Sequence, residues 1–214
     1  ADLQLPRMRA RSVAGVEDPA RFARFVETAN WTPIDASLRV SKVPDLIQRL
    51  GGRTLYGDEP MVALRELISN AADAVRARRV QFENTGLRVE VRLMHVGEDW
   101  HLTVLDNGLG MSASQMVRFL TDFGNSQWSS QERLEEFPGL ASKGFKATGR
   151  YGIGFFSAFM VADKVRVRSL AVKAASSETH ILEFHDGLRS RPLIRQAASD
   201  EELSQPGTEV SLVL

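Results

Sequence analysis

Glu66, Asn70 and Asp73 recur at helical spacing within Glu66-Leu67-Ile68-Ser69-Asn70-Ala71-Ala72-Asp73. At about 100° per residue they share roughly a 60° arc of one helix. Taken alone, such an arc is an ordinary solvated face. Asn70, however, is a poor mid-helix residue, because its amide competes with the backbone for hydrogen bonds. Its neighbours Ser69, Ala71 and Ala72 are small and leave room for a ligand. An amide oxygen suits magnesium, which keeps most of its waters and takes few protein ligands. A carboxylate one turn away, Glu66, can then orient a water and accept its proton.

Two further segments could complete such a site. Asp106-Asn107-Gly108-Leu109-Gly110-Met111 has the composition of a plain strand-to-helix turn. Its functional reading is base recognition. A buried Asp106 carboxylate would accept a hydrogen bond from an exocyclic amine and select adenine over guanine. Gly108 and Gly110 let the backbone approach the ring, and Met111 offers it a soft apolar surface. In Gly149-Arg150-Tyr151-Gly152-Ile153-Gly154-Phe155, glycines open a helix whose backbone N–H groups can face phosphates; the plain alternative is a closely packed helix start. It is not a dinucleotide fingerprint, since Ser157 holds the last position and no strand directly precedes it. In this order the three segments supply what a magnesium-bound nucleotide and an aimed water require.

Gly139-Leu140-Ala141-Ser142-Lys143-Gly144-Phe145-Lys146 approaches a P-loop, but Phe145 separates Gly144 from Lys146, and Ala147 stands where Ser or Thr is needed. Lys143 and Lys146 are left open as phosphate contacts or a solvated pair. His95, His101, His180 and His185 lack metal-ligand spacing and read as structural.

The elements that must position these residues follow from patterning. Asp18 to Val26 reads as a short helix with Asp18 as N-cap, and Ser41 to Leu50 as a second, stopped by Gly51-Gly52. A turn at Gly57–Pro60 feeds a long helix to about Glu83, whose stripe Leu64, Ile68, Ala71 and Val75 lies nearly opposite the polar arc. One side is thus expected on a sheet and the other along a cleft, with Arg76, Arg78 and Arg79 near the C-terminal end, where cations are favoured. Leu87–Val96 and Trp100–Leu105 form a hairpin around Gly97-Glu98-Asp99 and deliver Asp106 at a strand end. Ser112 caps a helix to about Phe123. Gly124–Ala147 has little apolar periodicity and reads as a mobile lid with few core contacts, holding a short helix around 130–136. Gly152–Val161 reads as an apolar helix, and Val165–Val172, Thr179–Phe184 and Thr208–Leu214 as strands. The sum is an α/β sandwich of four or five antiparallel strands with helices on one face. Residues 60–214 form the domain, and residues 1–59 are an arm and short helices.

Composition bounds the class. The 214 residues suffice for one well-buried domain, and 43% hydrophobic with 25% charged residues is ordinary for a soluble globular protein. Lys+Arg and Asp+Glu are both 27, so no global basic field points to nucleic acid. There is no cysteine, which excludes disulfides and thiolate metal sites and fits a reducing, cytoplasmic location. No apolar run approaches the roughly 18 residues of a membrane helix. The arginine-bearing Ala1–Gly15 has no apolar core behind it and is not a secretory signal.

Together the motifs resemble those of the gyrase, heat-shock chaperone, histidine-kinase and MutL ATPase superfamily, with its Bergerat nucleotide fold. The match is greatest to the N-terminal domain of heat-shock protein 90 chaperones. Leu64 to Ala74 is similar to that family's catalytic helix, Gly152 to Val165 to its second glycine motif and following strand, and Gly207-Thr208 to its last nucleotide-contacting element. The resemblance covers about Met61 to Leu214. It implies a two-layer α/β sandwich that binds ATP or ADP with Mg2+. Glu66 would be the general base, Asn70 the magnesium ligand and Asp73 a support of the pocket. Asp106 would read the adenine amine, directly and through water shared with Gly110 and Thr208. Met111 would pack on the base, and Gly152, Ile153, Gly154 and Phe155 would supply backbone around the phosphates. Thr121-Asp122 stands where the family has paired asparagines, with Asn125 close by; Ala77 replaces a lysine; and the lid, with Trp128 and Pro138, is unlike the chaperones'. These departures point to a divergent bacterial relative.

The expectation is therefore a slowly hydrolysing ATPase domain of a chaperone-like clamp. It would form a nucleotide-dependent homodimer and engage a client or partner protein. The family also uses an arginine from a downstream domain, which is expected beyond Leu214, so activity in this chain alone should be weak. Three alternatives stand beside it. A DNA-clamp ATPase would call for a basic surface. A histidine kinase would call for a phospho-acceptor histidine upstream, and none precedes His95. A nucleotide-gated sensor or defence module would bind ATP and hydrolyse little.

Overall fold

The computed structural model describes residues 18–24, 26–27, 39–40, 61–83, 85–149, 152, 154–187 and 190–214. The chain divides into two compact units, Ala1–Asp35 and Ala36–Leu214. In the first, helix α1 spans Pro19–Phe22, shorter than expected, and the Arg21 N–H donates to the Asp18 carboxylate at 3.1 Å, as an N-cap should. The helix expected over 41–50 and the turn expected over 57–60 lie outside the described residues.

The second unit opens with β1 (Arg39–Val40), α2 (Met61–Phe82), β2 (Val89–Val96), β3 (Asp99–Asp106), α3 (Ala113–Thr121) and β4 (Asp122–Phe123). Short helices α4 (Gln131–Glu136) and α5 (Pro138–Ser142) follow, then a 3₁₀ segment Gly154–Met160. Strands β5 (Lys164–Leu170), β6 (His180–Phe184), β7 (Leu193–Gln196) and β8 (Gly207–Val213) complete it. β1 and β4 pair in parallel, and the other six strands form one antiparallel sheet in the order β2-β3-β8-β5-β6-β7. The sheet exceeds the expected four or five strands because β7, Leu-Ile-Arg-Gln, is too short to show alternation. The chain is a two-layer α/β structure. One sheet face buries Leu102, Val104, Val165, Val167 and Leu212, with α2 packed on β3, β2 and β8. The other carries ion pairs, among them Arg168–Glu209 at 2.8 Å and Arg195–Glu183 at 3.3 Å.

Helix α2 holds to its expected span but not to its expected orientation. Only half of the expected stripe is buried: Ala71 and Val75 are, but Ile68 is exposed, while Ala63, Leu67 and also Asp73 are buried. The inward face is centred between the apolar stripe and the polar arc, because one flank of α2 meets the sheet and the other meets the 3₁₀ segment. The polar arc consequently borders the helix–sheet junction instead of pointing away from it.

Three further expectations are corrected. Helix α3 starts as read, with Ser112 and Gln115 in a reciprocal capping box, but it ends at Thr121, because Asp122–Phe123 turns extended to pair with Arg39–Val40. Gly154–Met160 winds as a 3₁₀ helix, with the Ser157 hydroxyl donating to the Gly154 carbonyl at 2.6 Å. Its Phe155 and Phe159 close on Phe184 at 5.9 and 4.9 Å between ring centres. The segment 124–147 is not poor in core contacts: Phe137 and Leu140 are buried with Ala77 and Leu109, and Trp128 and Phe145 pack against them. Pro138 breaks this stretch into α4 and α5, which hides the i, i+4, i+7 spacing of Arg133, Phe137 and Leu140 from a periodicity reading.

Candidate active site

Between α2 and the sheet lies a cavity of about 460 Å³. Its apolar wall comes from Leu67, Ala71, Val104, Val167 and Val210. At one end stand Asp106, Gly110, Met111 and Thr208. Asp106 ends β3, lies opposite Thr208 of β8, and is buried. Its Oδ1 accepts the Gly108 N–H at 2.7 Å. Burial nevertheless dominates and pushes the carboxyl up to about 7, against the Gly108 and Thr208 N–H groups and the Arg78 charge that favour ionisation. The Ser169 hydroxyl donates to the Gly207 carbonyl at 3.1 Å and accepts the Met111 N–H at 2.9 Å. With its one proton so used, its 2.8 Å contact with Thr208 Oγ1 has Thr208 as donor. Toward the cavity the Thr208 oxygen is then an acceptor beside the Asp106 carboxylate, a pair suited to an amine.

At the other end, Glu66 and Asn70 lie close beneath the backbone of Gly154 and Gly149. A Cβ on Gly154 would come within 2.8 Å of Glu66 Oε2, and one on Gly149 within 2.9 Å of Asn70 Oδ1. Gly152 adopts φ +64, and a Cβ there would strike the Asn125 backbone at 2.4 Å. Gly152, Gly154 and Phe155 also line the cavity. An acid, an amide oxygen and close backbone N–H groups fit a magnesium-bound polyphosphate. Among the described residues no cluster of three acids, histidines or cysteines could hold a metal. A magnesium ion here would therefore rest on Asn70, water and the phosphates, as its chemistry allows.

Asp73 and Gly108 serve the site without lining the cavity. Asp73 is fully buried, and it accepts the N–H of Thr148 at 2.9 Å and of Gly149 at 2.8 Å, with Arg76 as its ion-pair partner. It thus ties the end of the 124–147 segment to α2. Ser126 Oγ donates to the Gly149 carbonyl at 3.1 Å, so both ends of that segment meet at one place. Gly108 lets the turn after Asp106 close on α2, since a Cβ there would lie 2.6 Å from Ala74 Cβ. Ile153 lies outside the described residues. Lys143 pairs with Glu83 at 2.9 Å on the surface, and neither it nor Lys146 lines the cavity.

Two arginines matter that their sequence context hides. Arg78 does not cap the helix end; its guanidinium donates to the Asn107 carbonyl at 2.7 Å and the Pro206 carbonyl at 3.3 Å, holding the turn after Asp106 to the approach of β8. Arg133, of α4, is buried in the cavity wall and donates to the Gly110 carbonyl at 3.1 Å and Gln127 Oε1 at 2.7 Å. Burial lowers its pKa, against the charges of Glu136 and Glu132. Its signal was the cap Ser130 three residues earlier, with Phe137 one turn on.

A family described as "Histidine kinase-, DNA gyrase B-, and HSP90-like ATPase" matches residues 59–208, and the chain belongs to it. The relatives it resembles are chaperones. "Chaperone protein HtpG" of Azorhizobium caulinodans is 40% identical over 143 residues, 63% of this chain and 21% of that protein. "Heat shock protein 75 kDa, mitochondrial" of Bos taurus is 38% identical over 127 residues, 58% of this chain and 18% of that protein. "Chaperone protein HtpG" of Serratia proteamaculans is 36% identical over 132 residues, 58% and 20% respectively. The chain spans about a fifth of the length of these relatives. The resemblance drawn from the three motifs is borne out. Among the described residues no helix is long and apolar enough to cross a membrane.

Proposed function

We propose that the chain is the ATP-binding and slowly hydrolysing domain of a heat-shock-protein-90-like chaperone or clamp, acting in the cytoplasm. One observation carries this reading: a single cavity has the acceptor pair Asp106 and Thr208 at one end and Glu66 and Asn70 under glycine backbone at the other. Adenine would enter the first end against Met111. The phosphates would lie along Gly152, Gly154 and Phe155, with Asn70 holding Mg2+, which would supply neutralising charge to the phosphate oxygens. Glu66 orients a water toward the terminal phosphate and takes its proton as the bond forms. Most of the catalysis is positioning and charge stabilisation. Turnover by this chain alone is weak, and nucleotide-driven homodimerisation and client engagement belong to the longer protein. The test is titration calorimetry of Mg·ADP against Mg·GDP with phosphate-release assays on the same protein. Tight ADP binding with slow release supports the reading; equal binding of both nucleotides refutes it.

A second reading, a nucleotide-gated sensor with little hydrolysis, is favoured by the burial of Phe137, Leu140 and Arg133, which anchors the 124–147 segment in place. Undetectable turnover in the full-length protein, with ADP binding retained, would select it.

A further inference from the structure

Strand β2 is the outermost strand of the six-stranded sheet, and among the described residues nothing pairs with its outer edge. An open edge presents a row of N–H and C=O groups that can accept another strand. Which residues present them follows from Arg88, whose N–H donates to Asn107 Oδ1 at 2.7 Å and whose carbonyl accepts the Asn107 N–H at 3.3 Å, toward β3. Backbone direction alternates along a strand. Glu90, Arg92 and Met94 are therefore turned toward β3, and Val89, Val91, Leu93 and His95 toward the open edge.

The side chains along this edge are apolar and uncovered. Val91 is 43% exposed and Leu93 57%, although their cross-strand partners Val104 and Leu102 are buried on the same face. Met94, Val96 and Trp100, near the hairpin tip, are about half exposed as well. The strand, Val-Glu-Val-Arg-Leu-Met-His-Val, contains no proline, glycine or lysine that would discourage pairing. Besides His95, its only ionisable residues are Glu90 and Arg92, of opposite sign and paired with each other at 2.7 Å.

We propose that β2 pairs antiparallel with β2 of a second copy of this chain, about a twofold axis through Val91. An antiparallel self-pairing must match outward-turned residues with outward-turned residues, so the axis passes at a residue position. An axis at Glu90 opposes two glutamates, and one at Arg92 opposes two arginines, each unfavourable. An axis at Leu93 places Glu90 opposite Val96 and leaves the charges unmatched. An axis at Val89 sets Glu90 against Arg88 but pairs Val91 and Leu93 with residues before the strand. An axis at Val91 places Glu90 opposite Arg92 twice within the strand, at positions between the hydrogen-bonded pairs, where side chains are closest. On the other face it sets Val91 against Val91 and Leu93 against Val89. The intrachain Glu90–Arg92 pair then exchanges for two interchain pairs. No residue of β2 lines the cavity. This association is consequently distinct from nucleotide-driven dimerisation and does not depend on the nucleotide reading.

Sedimentation velocity on the 214-residue chain, from micromolar up to about 1 mM, where weak interfaces show, tests the proposal with and without Mg·ATP. A concentration-dependent dimer indifferent to nucleotide is expected. Glu90→Arg and Arg92→Glu should each weaken it roughly tenfold or more, while the two together restore it. Val91→Pro, which removes only an outward N–H and is tolerated on edge strands, should give a folded monomer by circular dichroism. The charge reversals, on exposed side chains, decide the matter if that variant does not fold. A monomer throughout the range overturns the proposal. So does a dimer unmoved by both charge reversals, or one that the double reversal does not restore. Slow hydrogen exchange at Val91 and Leu93 in dilute, monomeric protein also overturns it, since another segment of the same chain would then hold the edge.

Discussion

The base-end carboxylate gives a quantitative handle on the site. Asp106 is buried, and its pKa is pushed up to about 7. Because Oδ1 already accepts the Gly108 N–H, a proton taken up at lower pH goes to the other oxygen, turning an acceptor into a donor that faces an amine. With half-ionisation near 7, about nine-tenths of the carboxyl is charged at pH 8 and about one-tenth at pH 6, so adenine affinity should fall roughly tenfold, or about 1.4 kcal/mol. Adenosine is the right probe, because it carries no group that titrates between those values, whereas ATP does. Ligand-observed NMR or calorimetry from pH 6 to 8 gives the dissociation constant. Asp106→Asn should lose most affinity and all of this pH dependence. The stability sign is opposite to that of a salt-bridged acid. The folded value lies above the ordinary 3.8, so the free protein loses stability as pH rises from about 4 to about 7. Asp106→Asn should therefore be no less stable than the parent at pH 8. A dissociation constant for adenosine that stays flat from pH 6 to 8 would refute the reasoning, as would full affinity in Asp106→Asn.

The other predictions are more direct. Glu66→Ala should keep Mg·ADP affinity within a few-fold and lower phosphate release by about 10²–10⁴-fold in the longest active form of the protein; unchanged turnover would place the base elsewhere. Phe137→Ala removes a buried ring at a cost of about 3–5 kcal/mol. Amide exchange across 126–147 should be slow in the parent without nucleotide and faster by at least about a hundredfold in the variant, whereas a segment already exchanging freely would contradict the observed packing. Asp73→Ala should lower the melting temperature sharply, since it strands the Thr148 and Gly149 N–H groups, whose bonds to a charged partner count for about 1.5–3 kcal/mol each. Glu201 is held down to about 2, below its ordinary 4.5, chiefly by its hydrogen bonds from Arg195. Its stabilisation is present above about 4.5 and lost as pH falls toward 2, so Glu201→Gln should flatten the acid limb of a pH–stability curve between those values.

What was legible in the sequence was local and chemical. The span of α2, the β2–β3 hairpin, the Ser112 cap and the delivery of Asp106 at a strand end each depend on a few neighbouring residues whose types have strong physical preferences. What was hidden depends on partners distant along the chain. The orientation of α2 is the clearest case. Its polar arc and apolar stripe follow from residue spacing, but a helix wedged between a sheet and a 3₁₀ segment has two contact flanks, and no periodicity measure assigns the angle between them. The buried Arg133 was hidden for a related reason. An arginine in a charged, glycine-bearing stretch reads as solvated until Trp128, Phe137 and the Gly110 carbonyl are seen to enclose it.

That enclosure bears on how the site works. Arg133 belongs to the segment expected to be a loose lid, yet it donates to the carbonyl of Gly110, where an added Cβ would collide with the Leu170 carbonyl at 1.8 Å. At its other end the same segment is held by Asp73 through Thr148 and Gly149, beside Asn70. One stretch of chain is thus fastened to both ends of a single cavity, by the buried Arg133 at the Gly110 end and the buried Asp73 at the Asn70 end. Any movement that opened it fully would break both sets of charge-assisted hydrogen bonds at once. Partial movements that keep both anchors are cheaper than full release, so ligand-driven change in this domain should begin between the anchors, at 134–147, and leave Gly110 and Gly149 in place.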